Sequence, residues 1–132
     1  RVAEGIRWLA REAKNLPIGL FGASTGAAAA LAAAADRPDS IRAVASRGGR
    51  PDLAGAALAD VAAPTLLIVG SADHEVLALN QRALGVLRCE KCLSVVPGAT
   101  HLFEEPGALE EVARLSKAWF LRYVPNDGAP RL

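Results

Sequence analysis

The chain has 132 residues, enough for one domain on the usual scale of about 100–200 residues each. Its 15 Lys and Arg against 14 Asp and Glu leave a formal charge of +1, which excludes the basic footprint of a nucleic-acid binder and an acidic solvating tail. With 52% apolar and 22% charged residues the composition is globular, and no apolar run reaches the roughly 18 residues that cross a bilayer.

In chain order, Val2, Ile6, Leu9, Ala10 and Ala13 recur at helical spacing and predict a helix over 1–15. This segment is charged throughout, so it does not read as a secretory leader. Pro17-Ile18-Gly19-Leu20-Phe21 is a short apolar run of the kind a buried parallel strand shows. A helix is predicted from Gly26 to Ala35, stopped by Asp36-Arg37-Pro38. Ile41 to Ala45 reads as a second strand, Asp52 to Asp60 as a short helix or loop, and Thr65 to Val69 as the clearest strand. Glu75 to Leu87 reads as a helix and Cys92 to Val96 as a fourth strand. Gly107 to Tyr123 is the last helix, with Leu109, Val112, Leu115, Trp119 and Phe120 on one face. Residues 1–124 form the domain, and 125–132 read as a loose tail.

This alternation predicts an α/β fold: right-handed crossovers, a parallel sheet of about four strands, and helices on both faces. Ligands of such sheets bind beyond the carboxyl ends of the strands, so the residues after Phe21, Ala45, Val69 and Val96 are the ones to read.

After the first strand stands Gly22-Ala23-Ser24-Thr25-Gly26, a G-x-S-x-G between a strand and a helix. A nucleophilic serine needs its hydroxyl held clear of the sheet at such a turn. The turn strains the serine backbone, and side chains two residues either side are expected to collide, hence the glycines. The helix that follows directs its first N–H groups at the reacting centre. After the third strand stands Asp73, either the cap of the helix that begins near Glu75 or an acid that orients a histidine. After the fourth stands His101; the other histidine, His74, adjoins the acid and would have to fold back to reach Ser24. Ser24, Asp73 and His101 are therefore the candidate nucleophile, acid and base. In Ser46-Arg47-Gly48-Gly49-Arg50-Pro51-Asp52, Arg47 and Arg50 are candidates for holding a carboxylate or phosphate, against the plainer reading of a solvated loop. Asp52 is the second candidate acid.

The order Ser24, Asp73, His101, within GASTG, GSADHE and PGATHLFEEPG, resembles the α/β-hydrolases, and their dienelactone-hydrolase-like branch most closely. The resemblance runs from about Leu16 to Tyr123. It implies Ser24 as nucleophile, Asp73 as acid, His101 as general base and the Thr25 N–H as an oxyanion donor. Dienelactone hydrolases proper use a cysteine nucleophile; a serine points to an esterase-type acyl hydrolase acting on a small ester or acyl substrate. The family has further strands and an oxyanion loop before the elbow strand, whereas one helix precedes it here. The resemblance thus implies the C-terminal half of a truncated α/β-hydrolase domain, without the second oxyanion donor. Losing one such donor typically costs about 10²–10³ in turnover.

With those strands absent, 16–21 becomes a sheet edge with unpaired N–H and C=O groups. The expected cover is the same strand of a second copy, in a homodimer, or an N-terminal segment. Cys89 and Cys92 make one C-x-x-C, half of a zinc ribbon's ligands, and lie between a helix and a strand rather than at a redox helix start. They read as incidental thiols, with no metal, cofactor, nucleic-acid or membrane partner expected, and they fit a reducing, cytoplasmic setting. The competing reading is a non-catalytic hydrolase module used for assembly or partner binding.

Overall fold

Thr65-Leu66-Leu67-Ile68-Val69-Gly70 lacks polar–apolar alternation because both of its faces are covered, and all six residues are buried. In the computed structural model, which describes residues 17–124, this run is β3 (Thr65–Gly70), one of two inner strands of the described sheet. It pairs in parallel with β2 (Ile41–Arg47) on one side and β4 (Lys91–Val96) on the other. β2 pairs in parallel with β1 (Ile18–Ala23), giving a four-stranded sheet in the order β1-β2-β3-β4.

The connections are helical: α1 (Thr25–Asp36) after β1, a 3₁₀ segment (Pro51–Asp60) after β2, and α2 (His74–Val86) after β3. α3 (Ala108–Tyr123) follows β4. The pleat divides the core into two layers, because successive strand residues point to opposite faces. Val44 and Leu67 pack with Leu31, Leu58, Ala83 and Leu87 from α1, the 3₁₀ segment and the α2 end. Ala45, Leu66 and Ile68 point the other way, onto Phe103, Ala108 and Val112. Helices thus cover both faces.

The alanine run of α1 serves close approach. Ala27, Ala30, Ala33 and Ala34 are buried, and a Cβ at Gly22 would lie 2.6 Å from the Gly26 carbonyl oxygen and 2.7 Å from the Ala27 Cα. Here the absent side chain is what lets helix meet strand. Gly26 behaves differently from expectation: beyond its chain neighbours and its own helix backbone, no described atom lies within 4 Å of where its Cβ would be. The helix has turned outward by that residue, and Gly26 is exposed. Leu109 also departs from its expected place, being 47% exposed; the buried side of α3 is Ala108, Val112 and Ser116, with Leu115, Trp119 and Phe120 alongside. Lys91 closes the end of α2 by donating to the carbonyls of Leu84 (2.6 Å) and Leu87 (2.7 Å), where a cation complements the helix dipole. The helix expected over 1–15 and the tail expected over 125–132 lie outside the described residues.

Candidate active site

The three residues picked from separate strand ends meet. Ser24 sits between β1 and α1 with φ 51° and ψ −124°. That backbone is unfavourable for a residue with a Cβ and costs on the order of 1–3 kcal/mol. It is held by its neighbours: the Ser24 N–H donates to the Arg47 carbonyl (3.3 Å), and the Arg50 N–H donates to the Ser24 carbonyl (3.0 Å). Asn80, fully buried on α2, donates to the Gly49 carbonyl (3.0 Å) and so secures the loop that does the bracing.

The Ser24 Oγ lies 2.8 Å from His101 Nε2, and His101 Nδ1 lies 2.8 Å from Asp73 Oδ2. An ionised carboxylate only accepts hydrogen bonds, so the ring proton belongs on Nδ1 and Nε2 is left to accept from the serine. Asp73 stands at the N-terminus of α2, yet its side chain makes no cap hydrogen bond there. The cap reading is thereby displaced: the carboxylate is turned to His101. The Asp73 side chain is 14% exposed and the His101 imidazole 40%, so the carboxylate is sheltered while the ring stays open to solvent.

Two turns carry this pair and are laced together. The Ser71 N–H donates to the Val96 carbonyl (3.0 Å), the Ala72 N–H to the Ala99 carbonyl (3.0 Å), and the Gly98 N–H to the Ser71 Oγ (2.7 Å). The second turn is tied again by Glu105, which receives the Thr100 N–H (3.0 Å) and the Thr100 Oγ–H (2.6 Å). These bonds, the side-chain one foremost, hold the Glu105 carboxyl below the usual carboxylate range. A lowered folded-state pKa means this contribution is present above the ordinary carboxyl value and fades as pH falls through the lower one. Nothing in the sequence pattern flagged Thr100 or Glu105, because a contact within a loop leaves no periodic trace.

His74 is the exposed first residue of α2 and takes no part in this hydrogen-bonded chain. Asp52, the second candidate acid, is bound instead by the Arg50 fork, Nε to Oδ1 at 3.0 Å and Nη2 to Oδ2 at 2.8 Å. That hydrogen bonding lowers the Asp52 pKa and raises that of Arg50. Arg47 lies at the end of β2, in register with Ala23 beside Ser24, its guanidinium 5.8 Å from the Phe103 ring centroid. The Arg47 Nε is buried without a described hydrogen-bond partner. Thr25 is the first residue of α1, where an N–H has no acceptor within the helix. Cys89 and Cys92 are unpaired thiols, and no cluster of metal-ligating side chains occurs among the described residues.

A dienelactone hydrolase from Anabaena variabilis superposes on 93% of the chain with a TM-score of 0.90 and 53% sequence identity. The chain has an α/β-hydrolase fold and is similar to this dienelactone hydrolase. It spans 58% of that Anabaena chain. The α/β-hydrolase fold is shared more distantly with the esterase domain of a Rhodothermus marinus protein, at TM-score 0.78 and 21% identity over 93% of this chain and 68% of that one. A Mycobacterium tuberculosis protein, provisionally named a phosphoribosyl transferase and represented by two strains, is 58% identical over 130 residues. That match takes in 97% of this α/β-hydrolase chain and 29% of the mycobacterial protein. No family model matches the sequence. No helix among the described residues is long and apolar enough to cross a membrane.

Proposed function

We propose that the chain is a serine hydrolase acting on an ester or related acyl substrate through an acyl-enzyme. The observation that supports this is the unbroken run from Ser24 Oγ to His101 Nε2 and from Nδ1 to Asp73 Oδ2, each step 2.8 Å. His101 takes the Ser24 proton as Oγ attacks the carbonyl carbon, and Asp73 steadies the imidazolium that results. The oxyanion meets the Thr25 N–H at the positive end of α1. The tetrahedral intermediate expels the alcohol, which leaves with the proton from His101. A water then repeats the sequence on the acyl-serine, releasing the acid and restoring Ser24.

Phosphoribosyl transfer names a mycobacterial protein of which 71% lies outside the match, and we leave that chemistry with the unmatched part. The test is a fluorophosphonate probe, which phosphonylates an activated serine. Label on the wild-type chain and none on Ser24→Ala supports the reading. A folded wild type that takes no label overturns it in favour of a non-catalytic module.

Within the same proposal, the anionic part of the substrate goes to Arg47, because the Arg50 fork is occupied by Asp52. A hydrogen bond to a charged group contributes about 1.5–3 kcal/mol. Arg47→Gln is therefore expected to raise KM by roughly tenfold or more for an ester bearing a carboxylate, and to leave KM for its neutral counterpart unchanged. Equal effects on both esters would remove Arg47 from this role.

β1 is the first strand in the described order, and Phe21 on it is 50% exposed. We propose that a second copy or an N-terminal segment covers this edge. Light scattering on the isolated chain tests the first option: a dimer is expected, and a monodisperse monomer at micromolar concentration excludes it. Two unpaired thiols fit a cytoplasmic setting.

A further inference from the structure

We propose that Glu105 is a positioning residue for His101, fixing the base by clamping the residue before it. The inference rests on the hydrolase reading and adds a residue to it.

His101 is less confined than its place in the hydrogen-bonded chain suggests. Its side chain is 40% exposed, and the next residue, Leu102, is 59% exposed. Packing alone does not hold the ring, so the backbone that carries it has to be fixed. Three bonds converge on Thr100 to do this. Its N–H and its Oγ–H both donate to the Glu105 carboxylate, at 3.0 and 2.6 Å, and its carbonyl accepts the Phe103 N–H at 3.1 Å. Both oxygens of Glu105 are thus engaged by one residue, in a forked, charge-assisted arrangement of the stronger kind.

Glu105 is itself anchored. Its carbonyl accepts the Ala108 N–H (3.0 Å) at the start of α3. Phe103, between the two ends of the clamp, has φ 55° and a ring that is 1% exposed, seated beside Ala99, Ala108 and Val112. A phenylalanine adopts that backbone only when its surroundings impose it. The buried ring pins the middle of the loop, and Glu105 pins the end that carries His101. Reactive geometry is steep in distance: a misplacement of about 1 Å can cost 10²-fold in rate.

The experiment uses Glu105→Ala, Glu105→Gln and Thr100→Val, with two readouts. The first is the fluorophosphonate labelling rate, together with kcat and KM for p-nitrophenyl acetate. The second is the backbone ¹⁵N order parameters of residues 100–103. Glu105→Ala is expected to lower labelling and kcat by about 10–100-fold at unchanged KM. Its order parameters are expected to fall from about 0.85 toward 0.6. Glutamine keeps both contacts, its carbonyl accepting the Thr100 N–H and its amide donating to the Thr100 Oγ, so Glu105→Gln is expected to stay within a few-fold of wild type. Thr100→Val breaks the 2.6 Å bond from the other side and is expected to fall between them. Glu105→Ala at the wild-type rate with unchanged order parameters overturns the proposal, and so does Glu105→Gln as slow as Glu105→Ala. A wild type that takes no label overturns the hydrolase reading instead, and the order parameters then decide by themselves whether Glu105 holds this loop.

Discussion

Ser24→Ala and His101→Ala are each expected to lower kcat for a simple activated ester by a factor on the order of 10⁶, and the double variant to be no slower than either. On the proposed mechanism the reason lies in the shared proton. Without the imidazole, the Ser24 hydroxyl has nowhere to send its hydrogen as Oγ bonds to carbon. Without the hydroxyl, the imidazole has nothing at 2.8 Å to activate. Each deletion removes the same step, so the two losses do not add. Asp73→Asn is expected to cost about 10⁴, for a different reason. A carboxylate can only accept, which keeps the ring proton on Nδ1; an amide can donate to Nδ1 and drive the proton to Nε2, where it blocks acceptance from Ser24. Steady-state hydrolysis of p-nitrophenyl acetate, with thermal melts to show that each variant is folded, checks all four. Losses of Ser24 and His101 that multiply would mean that the two side chains act independently, whatever their distance.

How far the sequence foretold this fold and this meeting of side chains, and where it fell short, follows from the range of each interaction. β3 was legible because a strand covered on both faces must be apolar at nearly every position, and Thr65–Gly70 is. Ser24 was legible because a strand-to-helix turn that bares a hydroxyl imposes glycine at Gly22 within a five-residue window. The same argument failed at Gly26, where the helix leaves the sheet too quickly for a side chain to meet anything described. Asp73 and His101 could be named because parallel strands deliver their carboxyl ends to one edge. The strands themselves run past the apolar runs that announced them, β1 to Ala23 and β2 to Arg47, because pairing continues until the chain must leave for the site. The pairing of Asp52 with Arg50, the clamp from Glu105 to Thr100 and the exposure of Leu109 depend on loop geometry and on what one helix face happens to meet, which no spacing encodes.

Gly70→Ala is expected to damage both fold and catalysis, and catalysis more. Gly70 ends β3, paired with Val96, at the point where the chain turns toward Asp73. A Cβ there would run into the carbonyl oxygen of Ala99 and stand 2.6 Å from its carbonyl carbon. Those atoms are main chain, so no rotamer change relieves the contact. The oxygen is moreover the acceptor for the Ala72 N–H, one of the bonds lacing the Asp73 turn to the His101 turn. Overpacking of this kind typically costs about 1–3 kcal/mol, read as a lower denaturant midpoint at unchanged slope. The damage to chemistry follows from direction: the added methyl drives Ala99 away from β3, and His101, two residues on, moves with it off Asp73. A shift of about 1 Å costs on the order of 10² in labelling rate even in the fraction that remains folded. The double variant Gly70→Ala/Ala99→Gly separates the causes. The Ala99 Cβ lies 3.0 Å from the new methyl, so removing it relieves a side-chain contact and leaves the carbonyl where it was. Persistence of both defects in the double variant is the expected result; recovery would place the clash at the Ala99 side chain and take away the reason for a glycine at this strand end.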